Sequence, residues 1–179
     1  MQPALRLVID FTDPAEVARW RSIDDVVMGG RSSSRLVTDD DGSALFTGRV
    51  SFEDGGGFAS VRTTGARCAL EGARSVRLRV RGDGKTYRLR CIAATPSGEI
   101  GYQARFPTTA DAWTDVELDL ARFEPRRRGR LLGDAPPLDP GAVRGLGLSI
   151  ADGQEGAFRL QIASLSLVRQ RPDRRPSSR

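Results

Sequence analysis

Residues 75–81 read S-V-R-L-R-V-R, and no other stretch constrains the chain as tightly. Val76, Leu78 and Val80 fall on one side of an extended backbone, with Arg77, Arg79 and Arg81 on the other. A helix would wind the arginines through the apolar stripe, so a half-buried strand is the regular element that separates the two sets. Gly82-Asp83-Gly84-Lys85 then has the composition of a hairpin turn, after which the same period returns. Tyr87, Leu89 and Cys91 take the inward side, and Arg88 and Arg90 the outward side.

Comparable short runs follow one another along the chain. Residues 4–11, 33–38, 44–50, 59–64, 102–106, 113–120, 146–150 and 158–168 each read as extended, separated by Gly, Pro and Asp turns. Leu5, Leu7 and Ile9 are expected on one face of the first run. Only residues 15–20, behind the start signal Thr12-Asp13-Pro14, suggest a turn or two of helix. About ten short strands with almost no helix predict an all-β fold, a β-sandwich or jelly roll. The 179 residues suit one domain with a real core, expected over residues 1–168. Residues 123–140 are expected to be the longest irregular connection. Residues 169–179 have nothing apolar to bury except proline and are expected to be a disordered basic tail.

The net charge of +5 suggests nucleic acid only until it is located. Arg169, Arg171, Arg174, Arg175 and Arg179 against Asp173 place four of those charges in the tail. The body is close to neutral, so nucleic acid is not the expected partner. No apolar run approaches the length of a membrane span, and residues 1–11 lack a signal pattern. A cytoplasmic protein is the expectation.

Histidine is absent and there are only two cysteines, Cys68 and Cys91. That removes a four-ligand His/Cys zinc site and every Ser-His or Cys-His nucleophile pair. Cys91, within an alternating run, reads as a small core hydrophobe. Gly84-Lys85-Thr86 fails as a phosphate loop because Arg79 stands where the first glycine belongs. Gly55-Gly56-Gly57 fails the dinucleotide spacing at Ser60 and reads as a tight turn or bulge. Asp39-Asp40-Asp41-Gly42 lacks the ligand spacing of a calcium loop and reads as a solvated hairpin tip. No metal, cofactor or catalytic residue is expected, and the chain does not read as an enzyme.

Residues 20–34, W-R-S-I-D-D-V-V-M-G-G-R-S-S-S, obey neither the strand nor the helix period. Adjacent Asp24 and Asp25 would point to opposite faces of an extended chain, which argues against a shared catalytic role. The expectation is that one braces the Gly29-Gly30 turn while the other is solvated, and that the three serines form a polar strand edge. The outward set Arg77, Arg79, Arg88 and Arg90, with Glu117, has two readings. One is a ladder of surface ion pairs. The other is a concave polar face for an acidic or hydroxyl-rich ligand, with Trp113 as its one stacking surface. Core packing is the expected role of both Trp20 and Trp113.

The order of the motifs carries further information. Trp20 and D-D-V-V-M-G-G-R-S are followed by Phe46-x-Gly48, Gly56-Gly57-Phe58-Ala59-Ser60, and Arg81-Gly82-Asp83-Gly84-x-x-Tyr87, then Phe106, Trp113 and Phe123…Gly129. Over roughly residues 5–168 this resembles the complex I intermediate-associated protein 30 family. The resemblance implies a galactose-binding-domain-like jelly roll and a non-enzymatic, chaperone-like role in assembly. The partners it implies are respiratory-complex subunits or assembly intermediates. A carbohydrate ligand is the alternative, and RNA or another polyanion held by the arginines of residues 126–130 and the tail is the second alternative. The chain starts at the domain with no transit peptide, so a bacterial cytosolic relative is expected. The motif residues that transfer as candidate binding residues are Asp24, Asp25, Met28, Gly29, Gly30, Arg31, Ser32, Gly57, Phe58 and Ser60.

Overall fold

The computed structural model describes residues 5–63 and 70–169; Cys68 and the basic segment beyond Arg169 lie outside them. The strands run β1 Leu5–Asp10, β2 Trp20–Ser22, β3 Ser33–Thr38, β4 Ala44–Val50, β5 Ala59–Thr63, β6 Ala73–Arg81 and β7 Thr86–Thr95. They continue as β8 Gly98–Pro107, β9 Trp113–Asp119, β10 Glu124–Arg127, β11 Arg130–Leu131, β12 Val143–Ile150 and β13 Gly156–Arg169. One short α-helix, Pro14–Val17, is capped by Asp13, whose carboxylate accepts from the Ala15 amide at 2.9 Å. No helix among the described residues is long and apolar enough to cross a membrane.

Two antiparallel sheets face each other. The first has the order β3-β4-β13-β6-β9, with β1 added along β13, and the second the order β11-β10-β8-β7-β12-β5-β2. The inward residues of both supply the core, including Phe46, Leu78, Tyr87, Leu89, Cys91, Leu146, Phe158 and Leu160. Phe46 and Phe158 of the first sheet meet with ring centroids 4.9 Å apart, and Tyr87 of the second reaches Phe158 at 6.4 Å. Each such side chain contributes about 1.5–3 kcal/mol on burial, so the alternating pattern alone drives the two layers together. This is the β-sandwich jelly roll that the alternation predicts.

Three expectations about local structure are corrected. The segment between β6 and β7 is not a hairpin turn, because β6 pairs with β13 and β9 in the first sheet while β7 pairs with β8 and β12 in the second. Gly82-Asp83-Gly84-Lys85 is a crossover between the layers. Parity could not reveal this: strands on opposite sides of one core show the same inward and outward alternation as strands that pair.

In β1, Leu5 and Leu7 are exposed and only Ile9 is buried. The pairing with β13 shifts between Leu7 and Ile9, and that bulge rotates the start of the strand out of the core. Residues 123–140 also contain structure, since β10 pairs with β8 and folds back on β11.

The crossover has its own latch. Asp83 accepts from the Lys85 amide at 3.1 Å, the Tyr87 hydroxyl at 2.9 Å and the Arg159 amide at 2.9 Å. Burial, then the Asp83 charge, push the Tyr87 hydroxyl far above its ordinary range, so it stays a proton donor. The R-G-D-G-x-x-Y run therefore fixes where the chain leaves one sheet and joins the other.

Candidate functional site

The D-D-V-V-M-G-G-R-S segment forms a corner that ties the two sheets together. Residues Asp25–Met28 make a single 3-10 turn, closed by Gly29 at φ 93°, a backbone that favours glycine. Asp24 accepts from the Ser34 amide at 2.8 Å and hydroxyl at 2.6 Å, on edge strand β3 of the first sheet. It also accepts from the Ser60 amide at 2.9 Å, on β5 of the second sheet. One carboxylate thus spans the sandwich.

Asp25 is fully buried and does the same one step deeper. Its oxygens accept from the Ser32 amide at 2.9 Å, the Ser32 hydroxyl at 2.5 Å, and the amides of Gly57 at 2.7 Å and Phe58 at 3.2 Å. The Ser32 oxygen in turn accepts from the Ser51 amide at 2.9 Å. Burial alone raises the Asp25 carboxyl, but the Ser32 and Gly57 donors, with further amides, outweigh it and hold it below the usual range. Asp25 is buried and Asp24 half-buried, and neither serves the Gly29-Gly30 amides with its side chain. The missed signal is the serine cluster. Ser33 is exposed on edge strand β3 as a polar edge would have it, but Ser32 is buried and Ser34 half-buried as donors to the aspartates.

What the corner displays is apolar. Val26, Val27 and Met28 are 61%, 74% and 68% exposed, three consecutive large hydrophobic side chains on one rigid turn. Phe52, 44% exposed, lies on the neighbouring loop beside Gly57. Arg31 bridges the same loop, to Asp54 at 2.7 Å and Glu53 at 3.2 Å. Asp24, Asp25, Gly29, Gly30, Arg31, Ser32, Gly57, Phe58 and Ser60 thus build and brace the corner, and Met28 is on its tip.

The second candidate group does not come together. Arg77 and Arg79 project from the outer side of the first sheet, Arg88 and Arg90 from the outer side of the second, so the sandwich separates them. On the first sheet, Arg77 pairs with Glu117 at 3.0 Å and Arg79 with Asp115 at 3.4 Å, the ion-pair ladder. Trp113 is half-buried on that outer face rather than in the core, with the Arg79 and Arg81 guanidinium groups 5.8 and 5.2 Å from its ring centroid. The acidic turn folds over this face too: Asp39 takes Arg159 at 3.0 Å and Gln161 at 2.6 Å, and Asp41 takes Arg81 at 3.1 Å. It is the expected tip of the β3–β4 hairpin, with Asp40 and Asp41 exposed, and its Asp39 and Asp41 carboxylates also neutralise the sheet. At the open edge of the sandwich a cleft of about 420 Å³ has lining of mixed charge, including Arg105, Glu117, Asp119, Arg122 and Glu124.

The two-sheet topology defines the class of this protein: a jelly-roll sandwich of the architecture used by carbohydrate-binding modules. The Family 11 module from Clostridium thermocellum, solved with a beta-1,3-1,4-mixed-linked tetrasaccharide, matches with a TM-score of 0.66 at 14% identity, over 94% of this chain and 98% of that one. A Family 11 module of a cellulosomal cellulase from the same organism gives 0.67 at 12% identity, over 97% and 99% of the two chains. A Family 30 module gives 0.56 at 11% identity, over 88% and 86%. At such identities the likeness is one of fold.

The sequence is more specific. Residues 9–162 match the complex I intermediate-associated protein 30 family, and the chain belongs to that family. The mouse (Mus musculus) protein "Complex I intermediate-associated protein 30, mitochondrial" is 25% identical over 177 residues, covering 88% of this chain and 54% of the mouse protein. The chain therefore spans about half the length of that curated relative.

Proposed function

We propose that this domain is a non-catalytic binding module that holds a protein partner, a subunit or assembly intermediate of a respiratory complex, through the Val26-Val27-Met28 tip. The observation that carries this reading is the pairing of exposure with rigidity. Contiguous exposed apolar side chains of this size mark interaction sites in soluble proteins. A turn fixed by two aspartates has little conformational freedom left to lose on docking, which favours affinity. Family membership supports the choice of partner class.

A photo-crosslinking residue at Val27 tests the reading directly. Crosslinking to a respiratory-complex subunit, abolished by the neighbouring change Met28→Asp, is the expected result. An unchanged crosslink in Met28→Asp, or tip-dependent binding to protein-free lipid vesicles, would sink it.

Carbohydrate binding is the second reading, supported by the fold shared with a module solved in complex with a tetrasaccharide. The aromatic residues in strands of the second sheet, Trp20, Tyr87, Tyr102 and Phe106, are all buried, and the Trp113 ring is shared with arginines. A platform for stacking sugar rings is missing from those strands, which ranks this reading below the first.

A further inference from the structure

The outer face of the second sheet holds positive charge that the protein itself does not neutralise. One register line crosses it: Arg21 on β2 faces Arg62 on β5, which faces Gly147 on β12, then Arg90 on β7, Gln103 on β8 and Glu124 on β10. Arginines flank a glycine in the middle of this line, so the face dips where a side chain would otherwise fill it. A β-carbon at Gly147 would stand 3.5 Å from that of Arg62 and 3.7 Å from that of Arg90. At Gly101, on the other side of β7, the Arg90 guanidinium takes the space a side chain would fill, since a β-carbon there would come to 2.3 Å of Nη2.

Two carboxylates on this face are committed to other arginines, and exposed Glu99, on the outward side of β8, pairs with neither Arg62 nor Arg90. Asp152 holds Arg88 and, at 3.0 Å, Arg105, while Glu124 holds Arg126 at 3.0 Å. The Gln103 amide, oriented with its oxygen toward the arginines, accepts from Arg88 Nη1 and Arg126 Nε, both at 3.2 Å. The side chains of Arg62 and Arg90 are left with no hydrogen bond or ion pair among the described residues. Both are half-buried, and each has an Nε–H closed off from water and without an acceptor.

We propose that the hollow between Arg62 and Arg90 is a binding site for an oxyanion, the phosphate or carboxylate group of a small acidic ligand. Guanidinium groups offer planar sets of N–H donors matched to such oxygens. An anion arriving here meets charge that no side chain has paired, on half-buried groups where screening is weaker than in bulk water. Burial first, then the charges of Arg62 and Arg88, make protonated Arg90 less favourable than an ordinary arginine, and a bound anion relieves both strains. The site is independent of the apolar tip, and its test does not touch the tip.

Titration of the ¹⁵N-labelled protein with phosphate, glucuronate and neutral glucose, read at the arginine Nε–H signals, tests the proposal. Saturable shifts at Arg62 and Arg90 are expected with phosphate, glucuronate or both, and the response identifies which oxyanion geometry fits. Because the variants could perturb folding, thermal melting accompanies them. Arg62→Gln and Arg90→Gln should melt no lower than the parent, since each removes a poorly solvated charge. The effective anion should raise the melting temperature of the parent but not of the double variant, as mass action on a native-state site requires. Lack of saturation with either anion would overturn the site. So would equal shifts at exposed Arg35 and Arg49, an equal response to glucose, or a double variant that responds like the parent.

Discussion

Gly30 is pressed against Asp25: a β-carbon on Gly30 would come to 2.4 Å of the Asp25 Oδ1. Gly56 meets the same carboxylate from the other side, its β-carbon falling 2.7 Å from Oδ2 and 2.5 Å from the Ser51 carbonyl oxygen. The glycines of two separate motifs therefore make room for one buried acid. Gly30→Ala and Gly56→Ala should each destabilise the domain by about 1–3 kcal/mol, the range expected when a methyl is forced into a filled space. Urea unfolding gives the measurement. Gly133→Ala, at a glycine without positive φ and with no atom within 4 Å of the added β-carbon, controls for the effect of adding a methyl in open space.

Asp25→Ala removes the acceptor for two Ser32 donors and two amides in one step. Leaving buried donors unpaired costs roughly 1–3 kcal/mol each in isolation, non-additively, so a loss of about 3 kcal/mol or more is expected. Asp24→Ala, in a half-buried position with one amide lost on each sheet, should cost less. A reversed order would show that the inter-sheet contact, rather than burial, dominates.

The acid limb of the stability profile carries the same signature. The folded-state Asp25 carboxyl lies below its ordinary value, as do Asp41, held mainly by Ser43, and Glu117, held mainly by Ser75 and Arg77. A depressed folded-state value means the folded protein binds the proton less readily than the unfolded chain. The stabilisation is therefore complete above the unfolded aspartate value of about 3.9 and lost as pH falls through the folded value. Asp25→Asn should flatten that acid limb in a series of urea midpoints against pH. An unaltered slope would assign the limb to the other carboxylates.

Tip and fold should separate cleanly. Val27→Asp, at a side chain 74% exposed, is expected to change unfolding free energy by no more than about 0.5 kcal/mol while abolishing partner capture. A large loss of stability would instead assign Val27 a packing role that its exposure contradicts.

Tyr87→Phe tests the crossover latch. It deletes the hydroxyl that donates to Asp83 at 2.9 Å and receives the Arg159 amide at 3.2 Å, without changing the ring that packs on Phe46 and Phe158. The expected cost is about 1.5–3 kcal/mol, the range for a hydrogen bond to a charged acceptor. Asp83→Asn in the same background should cost less than in the parent, because the Tyr87 contact is already gone, with the remaining loss coming from the Lys85 and Arg159 amides.

Much of this was legible before any tertiary structure. Period-two alternation placed Val76, Leu78, Val80, Tyr87, Leu89 and Cys91 in the core, because a side chain's face in a regular strand depends on its position in the run. The irregular run around Asp24 and Asp25 stood out for the same reason: it has no period because it builds a corner. The absence of histidine removed the commonest catalytic pairs by composition alone.

Pairing was decided elsewhere. Alternation says which way a side chain points but not which strand lies beside it, and it could not show β6 and β7 joining different sheets. That single fact split Arg77 and Arg79 from Arg88 and Arg90, and left the first pair neutralised by Glu117 and Asp115. It brought Arg62, nearly thirty residues upstream of Arg90 in the chain, into one register line with it across Gly147. Long-range contacts also turned Ser32 and Ser34 from a supposed polar edge into the donors that hold two aspartates. Inward and outward are local properties of the backbone and are written in the sequence. Which charge meets which acid depends on strand order, and only the folded sandwich fixes that.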